Sequence, residues 1–162
     1  MHQLGDASAG MELVRQGAKR WMDTGATLHM THCEIVLAET CLRDGRTTAA
    51  RDHVDAARAY RARLDEDYLA AEIDRLDGLL RYHERAAFET VEECLSRSLH
   101  TARRQGARLF ELRTATTFAP LLAERNQRRR AAELLGPVVG AFTEGFDTAD
   151  LREAKAVLDE LG

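Results

Sequence analysis

His29, His32 and Cys33 stand at i, i+3 and i+4, the spacing that sets three side chains on one turn of a helix. Imidazole and thiolate are zinc ligands, so the trio could hold Zn²⁺ if a fourth ligand came from elsewhere. No second group of His and Cys at a matching spacing accompanies it. Two histidines at a helix start beside a core cysteine account for the same residues, so no metal site is expected. A nucleophilic thiol would need Cys33 or Cys94 beside His53, His83 or His100. No feature of the neighbouring sequence favours the thiolate, and buried, inert thiols are the expectation. Arg125, Arg128, Arg129 and Arg130 form one basic cluster, and Arg103 with Arg104 another. Such clusters suit phosphate or an acidic partner, but aromatic residues do not interleave them and Glu124 and Glu133 lie close by. Nucleic acid is therefore not expected. There is no G-x-x-x-x-G-K-[ST] phosphate loop and no Gly-rich dinucleotide turn. These readings together predict a non-enzyme without cofactors.

The elements that must carry these residues repeat. Gly10, Val14 and Gly17 are followed by Ala50, Val54 and Ala57, then Val91, Leu95 and Ser98, then Ala131, Leu135 and Val138, at steps of 40, 41 and 40 residues. Ala38, Gly78 and Ala119 keep the same register at steps of 40 and 41. The extra residue falls between Gly78 and Val91, in the turn joining two helices. A period of this length with helical composition predicts stacked antiparallel helix pairs, none able to bury its apolar face alone. Small residues sit where two helices cross closely, and Val54, Leu95 and Leu135 fill the gaps between neighbours.

Helices are expected at Ala7 to Asp23, Leu28 to Arg43, Thr47 to Ala62, Asp67 to Tyr82, Ala87 to Gln105, Ala107 to Glu124 and from Gln127 onward. Ile35, Leu37, Ala38, Cys41 and Leu42 form the apolar stripe of the second, which Asp44-Gly45 ends. Thr47 or Thr48 should cap the third, and Asn126 should turn the chain before the seventh. Pro120 should kink the sixth helix, and Pro137 should kink or end the seventh, with a further turn over Val138 to Phe142. Asp147 should cap a last helix, Thr148 to Leu161, whose stripe is Leu151, Ala154, Val157, Leu158 and Leu161. Trp21 is the sole tryptophan and is expected to pack the first helix against the second; with Met22 it would mark a contact surface if the first helix is a half repeat.

Composition agrees with a single all-α domain. The 162 residues are 44% hydrophobic and 31% charged, with two prolines and a net charge of −4. That balance attracts neither nucleic acid nor an anionic membrane, and no apolar run is long enough to span a bilayer. Three cysteines, an odd number inside helical patterns, and an N-terminus Met1-His2-Gln3-Leu4-Gly5-Asp6 without a signal peptide predict a cytoplasmic protein.

The small residue in each first helix, followed by small, large and small residues at +12, +16 and +19, resembles the tetratricopeptide pattern. Ala102-Arg103-Arg104-Gln105-Gly106-Ala107, Leu109, Glu111-Leu112-Arg113, Leu134-Leu135-Gly136-Pro137-Val138 and Phe142 to Thr148 resemble the C-terminal repeat region of bacterial predicted ATPases with an adenylate or guanylate cyclase domain or a helix-turn-helix domain. The resemblance covers most of the chain and is most specific over its last 60 residues. It implies a right-handed α-α superhelix with a half repeat over residues 5–24, repeats over about 26–63, 67–105 and 107–143, and a capping helix over 148–161. It implies a protein–protein interaction scaffold or sensor in bacterial signalling or transcription regulation; the alternatives are the C-terminal regulatory fragment of a multidomain adenylate cyclase or ATPase and, from the His and Cys residues above, a small metal- or thiol-dependent enzyme. A protein or peptide partner is expected on the concave face, on His32, Ile35, Glu39, Leu42, Glu72, Arg75, Leu79, Tyr82, Arg113 and Thr116. Reversing the charge of Arg75 or Arg113 should then weaken capture without lowering the melting temperature. If these Glu and Arg residues instead pair across repeats at the surface, each pair contributes roughly 0–1 kcal/mol. A homo-oligomer through the N-terminal half repeat is also expected.

Overall fold

A computed structural model describes residues 4–25, 29–64 and 66–162. Among them the fold is all-α, with no strand: α1 (Leu4–Asp23), α2 (Met30–Arg43), α3 (Thr47–Leu64), α4 (Ala70–His83), α5 (Phe88–Gln105), α6 (Arg108–Glu124), α7 (Arg128–Gly140) and α8 (Ala149–Leu161), with one 3₁₀ turn, Asp67–Leu69, leading into α4. Leu28, where the spacing starts the second helix, and Met1 to Gln3 lie outside the described residues. No described helix is long and apolar enough to cross a membrane.

The closest pairings are α2 with α3, α4 with α5 and α6 with α7, while α2, α4, α6 and α8 also touch in succession. The repeat is visible in the backbone of the turns inside these pairs. Gly45, Arg85 and Asn126 all adopt positive φ, at 70°, 59° and 62°. In each turn the following amide returns to a carbonyl five residues back: Arg46 N to Cys41 O, Ala86 N to Arg81 O and Gln127 N to Leu122 O, at 2.8–3.0 Å. Glycine enters this region freely, and asparagine more readily than most. Arg85 does so because the turn's two closing bonds hold it there. One more residue separates the turn from the next helix at α4–α5 (Ala86, Ala87) than at α2–α3 (Arg46), which accounts for the 41-residue step.

Each residue of the repeated register on α3, α5 and α7 is buried, as are Ala38, Gly78 and Ala119 opposite them. The reason for small residues is explicit at Gly78, where an added Cβ would stand 2.8 Å from Leu95 Cγ and 3.3 Å from Cys94 Cβ. Ser98, the one polar member, is buried with its hydroxyl 2.7 Å from the Ala71 carbonyl and 2.8 Å from Thr114 Oγ1. On α1 the same register is covered only at Val14, which packs partly buried against the apolar core. Gly10 and Gly17 are exposed, and nothing lies within 4 Å of a Cβ built on either. Trp21 and Met22, at the end of α1, are also exposed.

The apolar core forms two clusters, one from α1–α4 and one from α5–α8. Leu151 and Ala154 seat α8 on the second, where Val157, Leu158 and Leu161 are partly buried.

Several helix ends differ from expectation. Ala50 N bonds to Arg46 O, so Arg46 occupies the N-cap of α3 and Thr47 and Thr48 lie inside the helix. Thr148, not Asp147, is the N-cap of α8; its hydroxyl turns back to the Gly145 carbonyl at 2.7 Å. Pro120 lies within α6, which runs on to Glu124. Pro137 lies within α7, and the further turn expected after it is present: the helix reaches Gly140, and Ala141 and Phe142 close it with amide bonds three residues back.

Gly78→Ala should cost about 1–3 kcal/mol, because Leu95 has no open side to move into. Urea denaturation will measure it; an unchanged midpoint would mean that α4 and α5 can separate without loss.

Candidate functional site

The inner faces of α2, α4, α6 and α8 bring four of the expected charges together. Arg75 on α4 donates from Nε and Nη2 to the two oxygens of Glu72, one turn back, at 3.1 and 3.0 Å, and from Nη2 to Glu39 on α2 at 3.1 Å. Arg113 on α6 donates to Glu72 at 2.6 Å and to both oxygens of Glu39 at 2.7 Å. Its Nε stands 3.4 Å from Asp150 on α8. Two arginines and two glutamates thus neutralise one another across three helices, and a fourth helix joins at the edge. The side chains of Glu72 and Arg75 are only 1% and 4% exposed. These are not surface pairs worth a fraction of a kcal/mol. Breaking such a buried pair leaves an uncompensated charge in the interior. Charge reversal of Arg75 or Arg113 should therefore lower stability as well, contrary to the expectation that the melting temperature would not fall.

Burial pushes the Glu39 carboxyl up, but Arg75, Arg113 and Arg43 outweigh it and hold it near pH 2, below its ordinary 4.5. Burial lowers the Arg75 guanidinium, and Glu72 and Glu39 more than restore it, so that it is held above its ordinary range.

Above this network lies a groove of about 350 Å³. Of the expected residues Glu39, Leu42, Arg75, Leu79, Arg113 and Thr116 line it. Glu72 lies beneath, sealed from solvent, and Ile35 is part of the apolar core. His32 is exposed but does not line the groove. Tyr82 turns away to donate to Glu124 Oε2 at 2.6 Å. The concave-face expectation for these four is corrected accordingly: Ile35 and Glu72 are used for packing and pairing, Tyr82 ties α4 to α6, and His32 stands apart. The groove adds Arg43, His83, Thr117, Asp150 and Glu153. Arg43 and His83 lie four residues beyond Glu39 and Leu79, so the helical spacing could have found them. Asp150 and Glu153 belong to α8, which the sequence reads only as a cap.

A second buried carboxylate, Asp77 on α4, serves packing between α3, α4 and α5. Its Oδ2 accepts from Arg81 at 3.0 Å, pairs with Arg58 at 2.8 Å and receives the Cys94 thiol at 3.4 Å. Burial raises the Cys94 thiol, and Asp77 raises it further. Burial likewise raises Cys33, with Glu34 adding to it. His53 is taken by Glu34 at 2.6 Å. Among the described residues no group of three or more His, Cys, Asp and Glu side chains is placed to hold a metal ion. The basic clusters are dispersed over partners: Arg103 on Glu111 at 2.6 Å, Arg129 on Glu133 at 2.7 Å, Arg130 on Glu92, Arg128 on the Glu160 carbonyl, and Arg125 over the Phe88 ring at 4.7 Å.

No family model, curated protein or solved structure matches this chain.

Arg75→Met should cost about 3–5 kcal/mol in chemical denaturation; a loss below about 1 kcal/mol would show that Glu72 has another means of compensation. Because the folded value of Glu39 is depressed, its contribution is complete above pH 4.5 and is lost as pH falls from 4.5 towards 2. Thermal melts across that window should show Glu39→Gln less stable than the parent at neutral pH and the gap narrowing in acid. A constant gap would contradict the assignment.

Proposed function

We propose that the chain is a tetratricopeptide-like right-handed α-α superhelix that acts without catalysis, as an interaction scaffold or sensor module taking a protein or peptide partner in the groove between α2, α4, α6 and α8. Cytoplasmic signalling or transcription regulation in bacteria is the setting that the resemblance of its C-terminal half suggests. The three equivalent turns and the buried register support the repeat reading.

The observation that carries the function is the division of charge in the groove. Floor charges satisfy one another, so a ligand gains nothing by approaching them. The rim charges differ: the Arg43 side chain is 74% exposed, and His83 and Glu153 are exposed too. Arg43, at the end of α2, makes one edge cationic, with the His83 imidazole at the end of α4 along it, and Asp150 with Glu153, at the start of α8, form an acidic one. Leu42 and Leu79 lie near the cationic edge. A segment with an acidic residue, an apolar residue and a basic residue in that order fits this polarity. Exposed side chains of this kind guide and orient a partner more than they hold it.

The test is selection from a displayed random-peptide library against the full chain, followed by titration of the enriched peptides. Arg43→Gln and Glu153→Lys should each weaken binding by about tenfold, consistent with loss of one or two charge-assisted contacts, and Glu153→Lys should do so at unchanged melting temperature. No enrichment, or equal binding to both variants, would overturn the reading.

A further inference from the structure

The turn that joins α4 to α5 and the turn that joins α6 to α7 border an open pocket of about 430 Å³, lined by Tyr82, His83, Arg85, Ala86 and Arg125. Two guanidinium groups and an imidazole line it, and no carboxylate does. Among the described residues, neither Arg85 nor Arg125 makes an ion pair. Arg125 lies with its Cζ 4.7 Å over the Phe88 ring. Such stacking fixes the guanidinium plane but supplies no anion, so the N–H edges stay open to a ligand. The acidic neighbours are engaged elsewhere. Glu84 pairs with Arg51, and Glu124 accepts from Tyr82 and lines a separate hollow between α6 and α8.

The backbone singles out Arg85 as well. The three turns of the repeat place Gly45, Arg85 and Asn126 at one position, with φ of 70°, 59° and 62°. Glycine suits that region and asparagine tolerates it, whereas a long L side chain is disfavoured there. The turn accounts for the conformation but not for the choice of arginine. The side chain is exposed and pairs with nothing among the described residues, so the turn has no use for its charge. Residues kept in disfavoured backbone regions gather where ligands are held.

We propose that this pocket binds a phosphate group, with Arg85 and Arg125 donating to its oxygens from the two turns. The charge count favours phosphate over carboxylate. A phosphate monoester carries about −1.5 to −2 at neutral pH and presents three acceptor oxygens. Two guanidinium groups balance that charge and can each fork onto two oxygens. A carboxylate would leave one of them uncompensated. The Tyr82 hydroxyl is already given to Glu124, which leaves the His83 ring as the third polar group of the pocket. His83 lines the groove as well, so the two sites adjoin. The phosphate site nevertheless stands on its own residues and needs no peptide in the groove.

The test is titration of the full chain, followed by nuclear magnetic resonance of the backbone amides and the arginine Nε–H groups. The probes are phenyl phosphate, inorganic phosphate, benzoate and chloride at matched ionic strength. Phosphate should give saturable shifts centred on Arg85, Ala86 and Arg125, with benzoate weaker by about tenfold. Tighter binding of phenyl phosphate would assign the pocket to a phosphate ester, and equal affinity to free phosphate; either result supports the proposal. Arg85→Gly should weaken binding by about tenfold and melt at or above the parent temperature, since glycine takes this backbone angle freely. Arg125→Gln should weaken binding to a similar degree with Arg85 in place. Shifts that never saturate or that chloride reproduces would overturn the proposal, as would benzoate binding as tightly as phosphate. So would either variant keeping the parent's affinity, or Arg85→Gly melting below the parent, which would assign Arg85 to the turn itself. None of these outcomes bears on the peptide groove, whose test is separate.

Discussion

The arrangement of α2, α4, α6 and α8 depends on one buried interaction, the mutual neutralisation of Glu39, Glu72, Arg75 and Arg113. Taking four charges out of water is unfavourable unless every one is paired at hydrogen-bond distance. Here the separations among them are 2.6–3.1 Å, and Arg113 reaches both α4 and α2. A shift of one helix by a turn, or a wider fan of the four, would leave a carboxylate or guanidinium buried alone. Apolar packing tolerates such slippage far better, since it has little directional preference. The network therefore selects one register and one curvature from those that the apolar residues would allow.

α4 is where this constraint meets the others. Leu69, just before it, and Ile73, Leu76 and Leu80 along it belong to the core of the first half. Gly78 lets α5 approach within van der Waals contact, and Asp77 is clasped by arginines of α3 and of α4 itself. The two halves are joined at it by polar contacts, including the Ser98 hydroxyl of α5 on the Ala71 carbonyl. The same helix thus supplies the floor of the groove and the joint between halves. It follows that the charges of the floor are satisfied among themselves, and that under the proposed function discrimination between partners falls to the rim.

Much of the architecture was legible in the residues. The 40-residue register identified the buried face of α3, α5 and α7, and even the location of the extra residue, because small-large-small spacing has a direct steric cause in close helix crossing. Helix existence was equally legible, since apolar stripes repeat at the helical period. Helix ends were not. The caps at Thr47 and Asp147 were plausible by residue type, but Arg46 and Thr148 occupy those places because the preceding turns, not cap preference, set where each helix can begin.

The candidate site divides in the same way. The resemblance to the tetratricopeptide pattern is what put Glu39, Arg75 and Arg113 on the inner faces of successive helices; periodicity alone says only which residues of one helix share a side. Whether those charges would face a partner or one another was decided only by tertiary structure. It depends on distances between helices far apart in sequence, such as the 74 residues separating Glu39 from Arg113, and local spacing carries no information about how tightly such helices curve together.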